Sequence, residues 1–399
     1  MNSGSTSGLR RRNRDIVLRT IAAQAPVSRT QISRQTGLTG AAVSRITREL
    51  IEAGLVKEGD SIPTKGQVGR RNIRLELGDE GAFVLGIALT VNVRSVSIGN
   101  SRGEIIERHS IEGLDLADPR EVIDRLSEAA RELVEASNVD RSRIVGCGVS
   151  VAGIADPDTG ELIKSDPLGW DVVPLGPAFS DALDLPVRIE GRAVALLMAE
   201  LWRGSAQGAN NVVLINNGVW LGGAVVMDGC IMRGHSNMVG QIAHMAIKGE
   251  ATPCACGRTG CLDAVASGAA ILRRLEHIEL PNAEQAKEPG DRLRALADCR
   301  DGKYPEIAAT FKDAGRQLGY AVDALFSVLD PELVLLAGEA GRHPEYVAGV
   351  RETLGLVRPG EADWPVTVSQ VSSDQSAIWL GLDAFVYSQS LDIEQLKVA

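Results

Sequence analysis

Three cysteines and one histidine form the group of side chains with the clearest potential for chemistry. Cys254, Cys256 and Cys261 lie within eight positions, interleaved with glycines, and His244 precedes the first of them by ten residues. Glycines permit a tight loop that directs several thiolates at one centre, and three sulfurs with one imidazole nitrogen complete a closed tetrahedral zinc site. We therefore expect a structural Zn²⁺ ion, with unligated thiols or a redox switch as the alternatives.

A second group of residues with potential chemistry is basic and lies near the start of the chain. Residues 1–77 contain 14 Lys and Arg against 6 Asp and Glu, a net charge of +8, whereas the rest of the chain carries −18. A basic segment joined to an acidic body is typical of a nucleic-acid-binding module fused to another domain. The overall charge of −10 therefore conceals two unlike parts.

The elements that must position these basic residues match a helix-turn-helix. We predict helices at about 13–25, 28–37 and 40–53, the last two joined by a three-residue turn. Ser28 and Gln31 form a capping box at the start of the second helix, and Gly37 can adopt the left-handed conformation that ends it. The third helix buries one apolar face, which includes Ile51. The arginines at positions 10, 11, 12 and 14 are predicted to form a solvated tail that touches phosphate.

Two predicted strands complete a winged helix-turn-helix. They lie at 55–58 and 72–77 and flank a glycine-containing basic stretch. Small side chains at the start of the third helix let its backbone approach the bases, and arginines can contact phosphates or guanine edges. The expected partner is double-stranded operator DNA, and a helical hairpin with a solvated basic face is the alternative. The candidate DNA-contacting residues are Thr39, Gly40, Ala42, Ser44, Arg45, Arg48, Arg70 and Arg71.

After Gly78 the sequence becomes α/β and repeats one plan twice. Residues 84–98 and 212–226 each read as a strand, a polar turn and a second strand. Two lobes that each open with a hairpin and continue as alternating helices and strands predict a duplicated fold with a cleft. Further helices are predicted at about 120–137, 193–203, 307–329 and 378–388, and strands at 144–151 and 332–338.

The order of these features resembles the ROK family, named for repressor, open reading frame and kinase. The resemblance rests on the winged head, the hairpin lobes, Gly240-Gln-Ile-Ala-His244 and Cys254-Ala-Cys-Gly-Arg-Thr-Gly-Cys261, and it covers roughly residues 12–388. It implies a two-lobed actin-like, sugar-kinase-type (ASKHA) α/β fold, and the head resembles the branch with the xylose and N-acetylglucosamine repressors. We expect the winged helix-turn-helix at 1–78, the N-terminal lobe at 79–190 and the C-terminal lobe with its zinc loop at 191–399, the final helix being free to pack back on the N-terminal lobe.

The same resemblance predicts that the chain is not an enzyme. Kinases of the family keep an Asp-x-Gly-Gly-Thr turn in the first hairpin and a Gly-Thr-Gly turn in the second. In this sequence Ala88 stands at the acidic position of the first turn, and Gly218-Val-Trp220 replaces the second turn. Their Asn-Asp pair, whose aspartate is the general base, becomes Gly191-Arg192. Arginine cannot give up its proton near neutral pH, so it cannot replace that base. A sugar kinase with a DNA-binding head is the alternative.

The sugar-contacting positions that the resemblance implies are altered in this sequence. Gln241 replaces a glutamate, and Arg192 adds a positive charge that suits a bidentate contact to an anion. A surface or ion-pairing role for Arg192 is the alternative. The candidate effector-binding residues are Asp166, Glu190, Arg192, Gln241, His244 and Asp263.

Together these features predict a transcriptional regulator of carbohydrate-related genes, with repression favoured over activation. It is expected to bind its operator as a homodimer or tetramer and to sense a sugar-like small molecule, an anionic one if Arg192 contacts it. A zinc-stabilised regulator controlled by a protein partner is a further alternative. The chain has no run of about 18 apolar residues and no apolar segment after its N-terminal charges, which predicts a cytoplasmic protein without a membrane partner. Disulfides are improbable in that reducing compartment.

Overall fold

The computed structural model describes residues 6–59, 73–279, 288–299, 304–360 and 364–398. The helices in this part of the chain are α1 Thr6–Gln24, α2 Arg29–Thr36, α3 Gly40–Glu52, α4 Pro119–Ala136, α5 Leu175–Leu183, α6 Arg192–Arg203, α7 Leu262–Ala266, α8 Gly268–Arg274, α9 Pro289–Asp298, α10 Pro305–Leu329, α11 Gly338–Gly341, α12 Pro344–Val357, α13 Ser373–Gly381 and α14 Ile393–Val398. None of them is long and apolar enough to cross a bilayer.

The strands form three sheets and one separate ribbon. They are β1 Val27–Ser28, β2 Val56–Glu58, β3 Arg74–Leu77, β4 Phe83–Leu89, β5 Arg94–Asn100, β6 Ile105–Ser110, β7 Ile144–Val151, β8 Ile154–Asp156, β9 Glu161–Lys164, β10 Val187–Gly191, β11 Val212–Asn217, β12 Leu221–Met227, β13 Cys230–Ile231, β14 Leu333–Ala337 and β15 Val366–Val368. β8 and β9 make the ribbon.

Two compact units contain these elements. One is drawn from residues 1–89, 93–190 and 373–399, and the other from residues 90–92 and 191–372. A unit boundary at residue 191 is close to the predicted lobe boundary, whereas the chain from Ser373 onward belongs with the first unit. The division into domains 1–78, 79–190 and 191–399 stays a prediction.

The head of the first unit contains the predicted helix-turn-helix. The Ser28 side chain accepts a hydrogen bond from the Gln31 amide, the Gln31 side chain accepts one from the Ser28 amide, and Gly37 ends α2 at φ 70°. The Thr39 side chain caps α3. The predicted capping box and turn are therefore confirmed. Ile51, predicted to be buried, is only half-buried because it lies at the edge of the apolar face of α3.

The N-terminal arginines lie in a helix and not in the predicted tail. α1 begins at Thr6, before the predicted start, so these residues are helical rather than a tail. Arg10 pairs with Glu49 at 2.6 Å, and Arg14 is 7% exposed and donates to the carbonyl of Leu391. The prediction of a solvated tail is wrong for Arg14, which is buried, whereas the Arg10 side chain is 56% exposed although it pairs with Glu49.

A small antiparallel sheet supports the head, with strand order β1-β3-β2. Val27 pairs with Leu75, and Val56 pairs with Leu77. The antiparallel pairing of β2 with β3 confirms the predicted strand pair, although both strands are shorter than expected. The sequence did not indicate β1, because two residues are too few to show a strand period.

Both larger sheets follow the repeated plan that the sequence predicts. In the first unit the order is β10-β7-β4-β5-β6, and in the second it is β13-β12-β11-β14-β15. Each has a central strand with an antiparallel hairpin partner on one side and a parallel strand on the other: β4 lies between β5 and β7, and β11 between β12 and β14. The predicted duplication is therefore confirmed at the level of the sheets.

The last helices of the chain complete the first unit. α13 lies on the sheet so closely that a Cβ on Gly148 would stand 2.2 Å from the carbonyl oxygen of Ala377. The predicted final helix at 378–388 instead begins at Ser373 and continues as a π-helical turn over Leu382–Val386. This helix therefore brings the end of the chain back to the N-terminal sheet.

Candidate functional site

The exposed face of α3 carries the predicted DNA-contacting residues of the head. Val43, Ile46 and Leu50 are buried on the opposite face, at most 1% exposed. In the described part of the chain neither Arg45 nor Arg48 forms an ion pair, so both guanidinium groups are available. Ala42 is half-buried, and the exposed residues are Thr39, Gly40, Ser44, Arg45 and Arg48.

A side-chain contact that the sequence did not indicate orients this helix. Arg29 at the start of α2 donates from Nε to Thr47 Oγ1 at 3.0 Å, and its Nη2 pairs with Glu58 at 2.8 Å. One guanidinium group therefore links α2, α3 and β2. The predicted wing residues Arg70 and Arg71 lie outside the described residues.

The head is fastened to the rest of the first unit by close backbone packing and by the end of the chain. A Cβ on Gly81 would stand 2.4 Å from the carbonyl carbon of Gly54, and Arg143 Nη1 donates to the carbonyl of Gly81 at 3.2 Å. In the C-terminal helix α14, Leu396 is fully buried, and the Lys397 ammonium group lies 3.8 Å from the Glu52 carboxylate. The C-terminal residues thus contact the head, which no local sequence pattern indicates.

The four predicted metal ligands converge in the second unit. One ligand atom from each of His244, Cys254, Cys256 and Cys261 lies within 4.8 Å of all the others. The Cys256 and Cys261 sulfurs are 3.7 Å apart, and Cys254 Sγ is 3.8 Å from His244 Nδ1. Sulfurs at about 2.3 Å from a tetrahedral zinc ion stand about 3.8 Å apart. The cluster therefore has the donor set and spacing to bind a metal ion.

Two glycines let the loop direct these side chains inward. Gly257 has φ 85° and Gly260 φ 71°, both in the left-handed region. A Cβ on Gly260 would stand 2.4 Å from the carbonyl oxygen of Glu250, so no larger residue fits there without movement. The amide of Cys254 donates to the carbonyl of Arg258 at 2.8 Å, which closes the turn between the ligands.

The thiols differ in their readiness to ionise. The Arg258 guanidinium, 3.5 Å from Cys256 Sγ, lowers the pKa of this exposed cysteine to about 6. Burial is the main cause that raises the pKa of Cys261 to about 11. A neighbouring cation thus favours the thiolate form of Cys256, the form that binds metals.

Two predicted effector residues lie next to the metal ligands. Gln241 is exposed and directly precedes the 3-10 turn 242–244 that presents His244. Asp263 follows the last cysteine, and its Oδ1 accepts a hydrogen bond from the amide of Leu221 at 3.0 Å. Burial raises the pKa of Asp263. The structure therefore brings Gln241, His244 and Asp263 to the metal-ligand loop and its flanks.

The other two carboxylates on the predicted effector list belong to the first unit. Asp166 is exposed and pairs with Lys164 at 2.8 Å. Glu190 is 1% exposed, with its Oε1 3.5 Å from Arg188 Nη2. Each carboxylate therefore has a basic partner within its own unit, and an effector role for either stays a prediction.

Arg192 is the first residue of α6, in the second unit. Its Nε is inaccessible to solvent and has no hydrogen-bond partner among the described residues. Its Nη1 points to the turn at Gly218, where a Cβ would stand 3.6 Å from it. The residue predicted to replace the kinase base thus lies beside the turn predicted to replace the second phosphate loop.

That turn is held by its own carbonyl groups. The amides of Gly268 and Ala269, at the start of α8, donate to the carbonyls of Gly218 and Val219 at 3.1 and 2.7 Å. Trp220 follows and is half-buried against the core of the second unit. The first hairpin has Ala88, 1% exposed, within β4.

Comparisons with known proteins agree on both parts of the chain. The ROK family model matches residues 84–388, and the MarR family model matches residues 16–64. The chain is 26% identical to the xylose repressor of Caldicellulosiruptor bescii over 98% of this chain and 99% of the relative. It is 25% identical to the DNA-binding transcriptional dual regulator NagC of Escherichia coli K12 over 84% of this chain and 82% of that protein.

A solved structure shares the fold over nearly the whole chain. It is the crystal structure of a ROK family transcriptional regulator, described as a homolog of the E. coli MLC protein. The TM-score is 0.75 at 24% identity, with 98% of this chain and 100% of the other covered.

Proposed function

Since the chain belongs to the ROK family, we propose that it is a DNA-binding transcriptional repressor of carbohydrate-related genes. The observation that carries this proposal is the exposed face of α3, where small residues and two arginines without an ion pair among the described residues project from a helix-turn-helix. Relatives named as a xylose repressor and as the regulator NagC support it. The second unit senses a sugar or sugar derivative, and the change in ligand state alters DNA binding.

Two arginines of α3 have different roles in this proposal. Arg45 lies nearer the start of the helix, the part that contacts base edges in helix-turn-helix proteins, and reads a guanine. Arg48, one turn later, contacts phosphate, as do Arg70 and Arg71 of the wing. Two heads of a homodimer or tetramer bind half-sites about 34 Å apart, which makes the operator palindromic.

The proposal is tested by selecting duplexes from a random-sequence pool with the full chain and measuring affinities by fluorescence anisotropy. Arg45→Ala is expected to weaken the selected duplex by about 5- to 150-fold and a scrambled duplex much less. Arg48→Ala weakens both duplexes and lowers the salt dependence. Arg131→Ala, which removes an exposed arginine of α4, is the matched control and leaves both affinities unchanged.

Two results contradict this assignment. If the wild-type chain selects no sequence from the pool, the chain is not a sequence-specific regulator. If Arg45→Ala lowers affinity for selected and scrambled duplexes equally, Arg45 contacts phosphate and the base-reading role is lost.

The ROK domain is proposed to be non-catalytic. Arg192 stands where the kinases' general base is expected, Trp220 occupies the second turn, and Ala88 replaces the acidic residue of the first. A coupled ATP-turnover assay across hexoses, pentoses and amino sugars is expected to give no rate above the enzyme-free background. A sugar-dependent rate would support the kinase alternative.

We assign the metal cluster to a structural Zn²⁺ ion held by His244, Cys254, Cys256 and Cys261. Three sulfurs and one nitrogen are the donors that zinc prefers in closed sites, and the 3.7 and 3.8 Å spacings match a tetrahedral arrangement. Such an ion cross-links the loop to the turn that carries His244. Because four protein ligands leave no open position, the ion supports the structure and not a reaction.

The effector is proposed to contact Arg192, Gln241, His244 and Asp263 in the second unit, whereas effector roles for Asp166 and Glu190 of the first unit stay predictions. Carboxylate, amide and imidazole groups suit the hydroxyls of a sugar. A thermal-shift screen of the full chain against neutral sugars, sugar phosphates and sugar acids tests this, because a ligand that binds the native state raises Tm. A screen without any binder would favour control by a protein partner.

A further inference from the structure

The segment from α13 to α14 runs from a crossing between the two units to the head. The chain leaves the second unit after residue 372, and α13 begins at Ser373. Farther along, Arg19 of α1 pairs with Asp383 at 3.1 Å. Arg14 of α1 donates to the carbonyl of Leu391. The segment that contacts the head is therefore joined covalently to the second unit at its other end.

α13 packs on the sheet of the first unit at backbone distance. Cβ atoms on Gly86 of β4 and Gly99 of β5 would stand 2.8 and 2.4 Å from side-chain atoms of Ile378. A Cβ on Gly146 of β7 would stand 2.3 Å from the ring of Phe385, which lies in the π-helical turn. Close-packed interiors have low compressibility and transmit strain. A displacement at the start of α13 is therefore carried along the helix toward the head.

The carboxylate of Asp374, in the first turn of α13, fixes this start to the sheet. Its Oδ1 accepts a hydrogen bond from Ser95 Oγ, and its Oδ2 accepts one from Arg108 Nε at 2.7 Å. Ser95 and Asp374 are both buried. Hydrogen bonds to a charged group are among the strong ones, and leaving such a buried group without its partners is costly. Asp374 therefore holds α13 to β5 and β6.

A second crossing between the units leads to the same hydrogen bond. Residues 90–92, at the tip of the first hairpin, belong to the second unit, and the chain then returns to the first unit shortly before Ser95. Asn92 Oδ1 accepts a hydrogen bond from the amide of Gly290 at 3.1 Å. A Cβ on Gly290 would stand 2.1 Å from Asn92 Cγ, so the tip is held tightly within the second unit. One crossing thus reaches the Ser95 hydroxyl through β5, and the other reaches its acceptor through α13.

We infer that Asp374 couples the state of the second unit to the position of the head. This inference rests on the proposed function and assigns the path by which ligand binding in the second unit changes DNA affinity. While the carboxylate holds Ser95, the two crossings move together, and α13 shifts the contacts that its C-terminal continuation makes with α1. Without the carboxylate the crossings move independently, and the head no longer follows the second unit.

A double-mutant cycle tests the coupling, with amide hydrogen exchange of the full chain as the readout. Asn92→Ala perturbs the second unit by removing the carboxamide that holds Gly290, and Asp374→Ala removes the coupling carboxylate. We expect Asn92→Ala to speed exchange in α1 and α14 on the order of 5- to 30-fold when Asp374 is present, and by less than about 2-fold in the Asp374→Ala background. An equal effect in both backgrounds overturns the coupling, as does the lack of any effect of Asn92→Ala on α1 and α14.

Two further backgrounds complete the cycle. Ser95→Ala removes the hydrogen bond from the β5 side and retains the carboxylate, so it is expected to suppress the effect of Asn92→Ala even if Asp374→Ala does not fold. Arg125→Gln breaks an exposed ion pair with Glu128 in the same unit and is the matched control, in which Asn92→Ala keeps its full effect. If Ser95→Ala and Asp374→Ala lower Tm but leave the effect of Asn92→Ala unchanged, Asp374 has a structural role only and the inference is wrong.

The selected DNA duplex provides the reciprocal measurement, because coupling acts in both directions. Duplex binding is expected to slow exchange at residues 90–95 in wild type and Arg125→Gln but not in Asp374→Ala. If the chain selects no DNA sequence and the cycle is non-additive, the regulator fails and the coupling stands. If the chain selects a sequence and the cycle is additive, the coupling fails and the regulator stands.

Discussion

Replacement of Cys256 by Ser gives the cleanest test of the metal centre. Cys256 is exposed, so the substitution removes a ligand without opening a cavity in the core. Cys230, also exposed, lies outside the cluster, and Cys230→Ser is therefore a matched control. The comparison isolates the contribution of one sulfur ligand.

The contacts of the loop set the size of the expected effect. Five backbone hydrogen bonds of 2.8 to 3.0 Å hold the segment between Met245 and Leu262. At about 1 kcal/mol each they contribute about 5 kcal/mol, whereas fixing the backbone of Cys254–Cys261 costs about 8 to 16 kcal/mol. Apolar packing adds little, because the buried cluster there consists of two of the cysteines and Ala264. The shortfall of about 3 to 11 kcal/mol is smaller than, or at most comparable with, the about 10 to 16 kcal/mol that a structural zinc site supplies.

Zinc content by mass spectrometry and amide hydrogen exchange measure the outcome. Wild type and Cys230→Ser are expected to bind one zinc ion per chain, with slow exchange at the amides of Gly257 and Gly260. Cys256→Ser loses the ion and its loop amides exchange at nearly the unfolded rate. Because the 3-10 turn that ends at His244 begins directly after Gln241, the variant is expected to lose the effector response as well. A full zinc complement in Cys256→Ser, or protected loop amides after chelation, would refute the argument.

Two further predictions concern packing and the attachment of the head. Gly349→Ala is expected to destabilise the second unit by about 1 to 3 kcal/mol, because its Cβ would stand 2.1 Å from the carbonyl oxygen of Lys312. Gly355→Ala, on the same helix, places a Cβ with no atom within 4 Å and is expected to stabilise the unit by up to about 1 kcal/mol. Equal urea midpoints for the two variants would contradict this. Arg14→Met breaks the contact with Leu391 and is expected to speed hydrogen exchange in α14 and lower operator affinity, and unchanged exchange there would contradict the role of the C-terminus in holding the head.

Local chemistry explains what could be predicted of the head. A capping box, a left-handed glycine and a one-sided apolar pattern act within a few residues, so Ser28, Gly37 and Ile46 specify their helices almost independently of the remaining chain. The metal ligands are equally local, since three of them fall in one glycine-containing loop. His244, ten residues before the first cysteine, is the one ligand candidate outside this loop.

Long-range contacts account for what the sequence analysis missed. Arg14 bonds to a carbonyl 377 positions away, and no local pattern distinguishes it from Arg45 and Arg48, which form no ion pair within the described ranges. The short strand β1 forms only because Leu75 provides a partner for Val27. Pairing and burial at these positions depend on which elements meet, and that is a property of the folded chain.

The sequence by itself determined the kinds of element, the repeated hairpin plan and the grouping of the three cysteines in one loop, because residue types and their spacing state these directly. Only the tertiary structure decided which charges have partners. Lys164 pairs with Asp166, Arg29 connects α2 to α3 and β2, and Arg192 lies half-buried beside Gly218 with an Nε that has no hydrogen-bond partner in the described part of the chain. Whether a charged side chain can contact a ligand depends on its exposure to solvent and on the groups that surround it, and folding determines both.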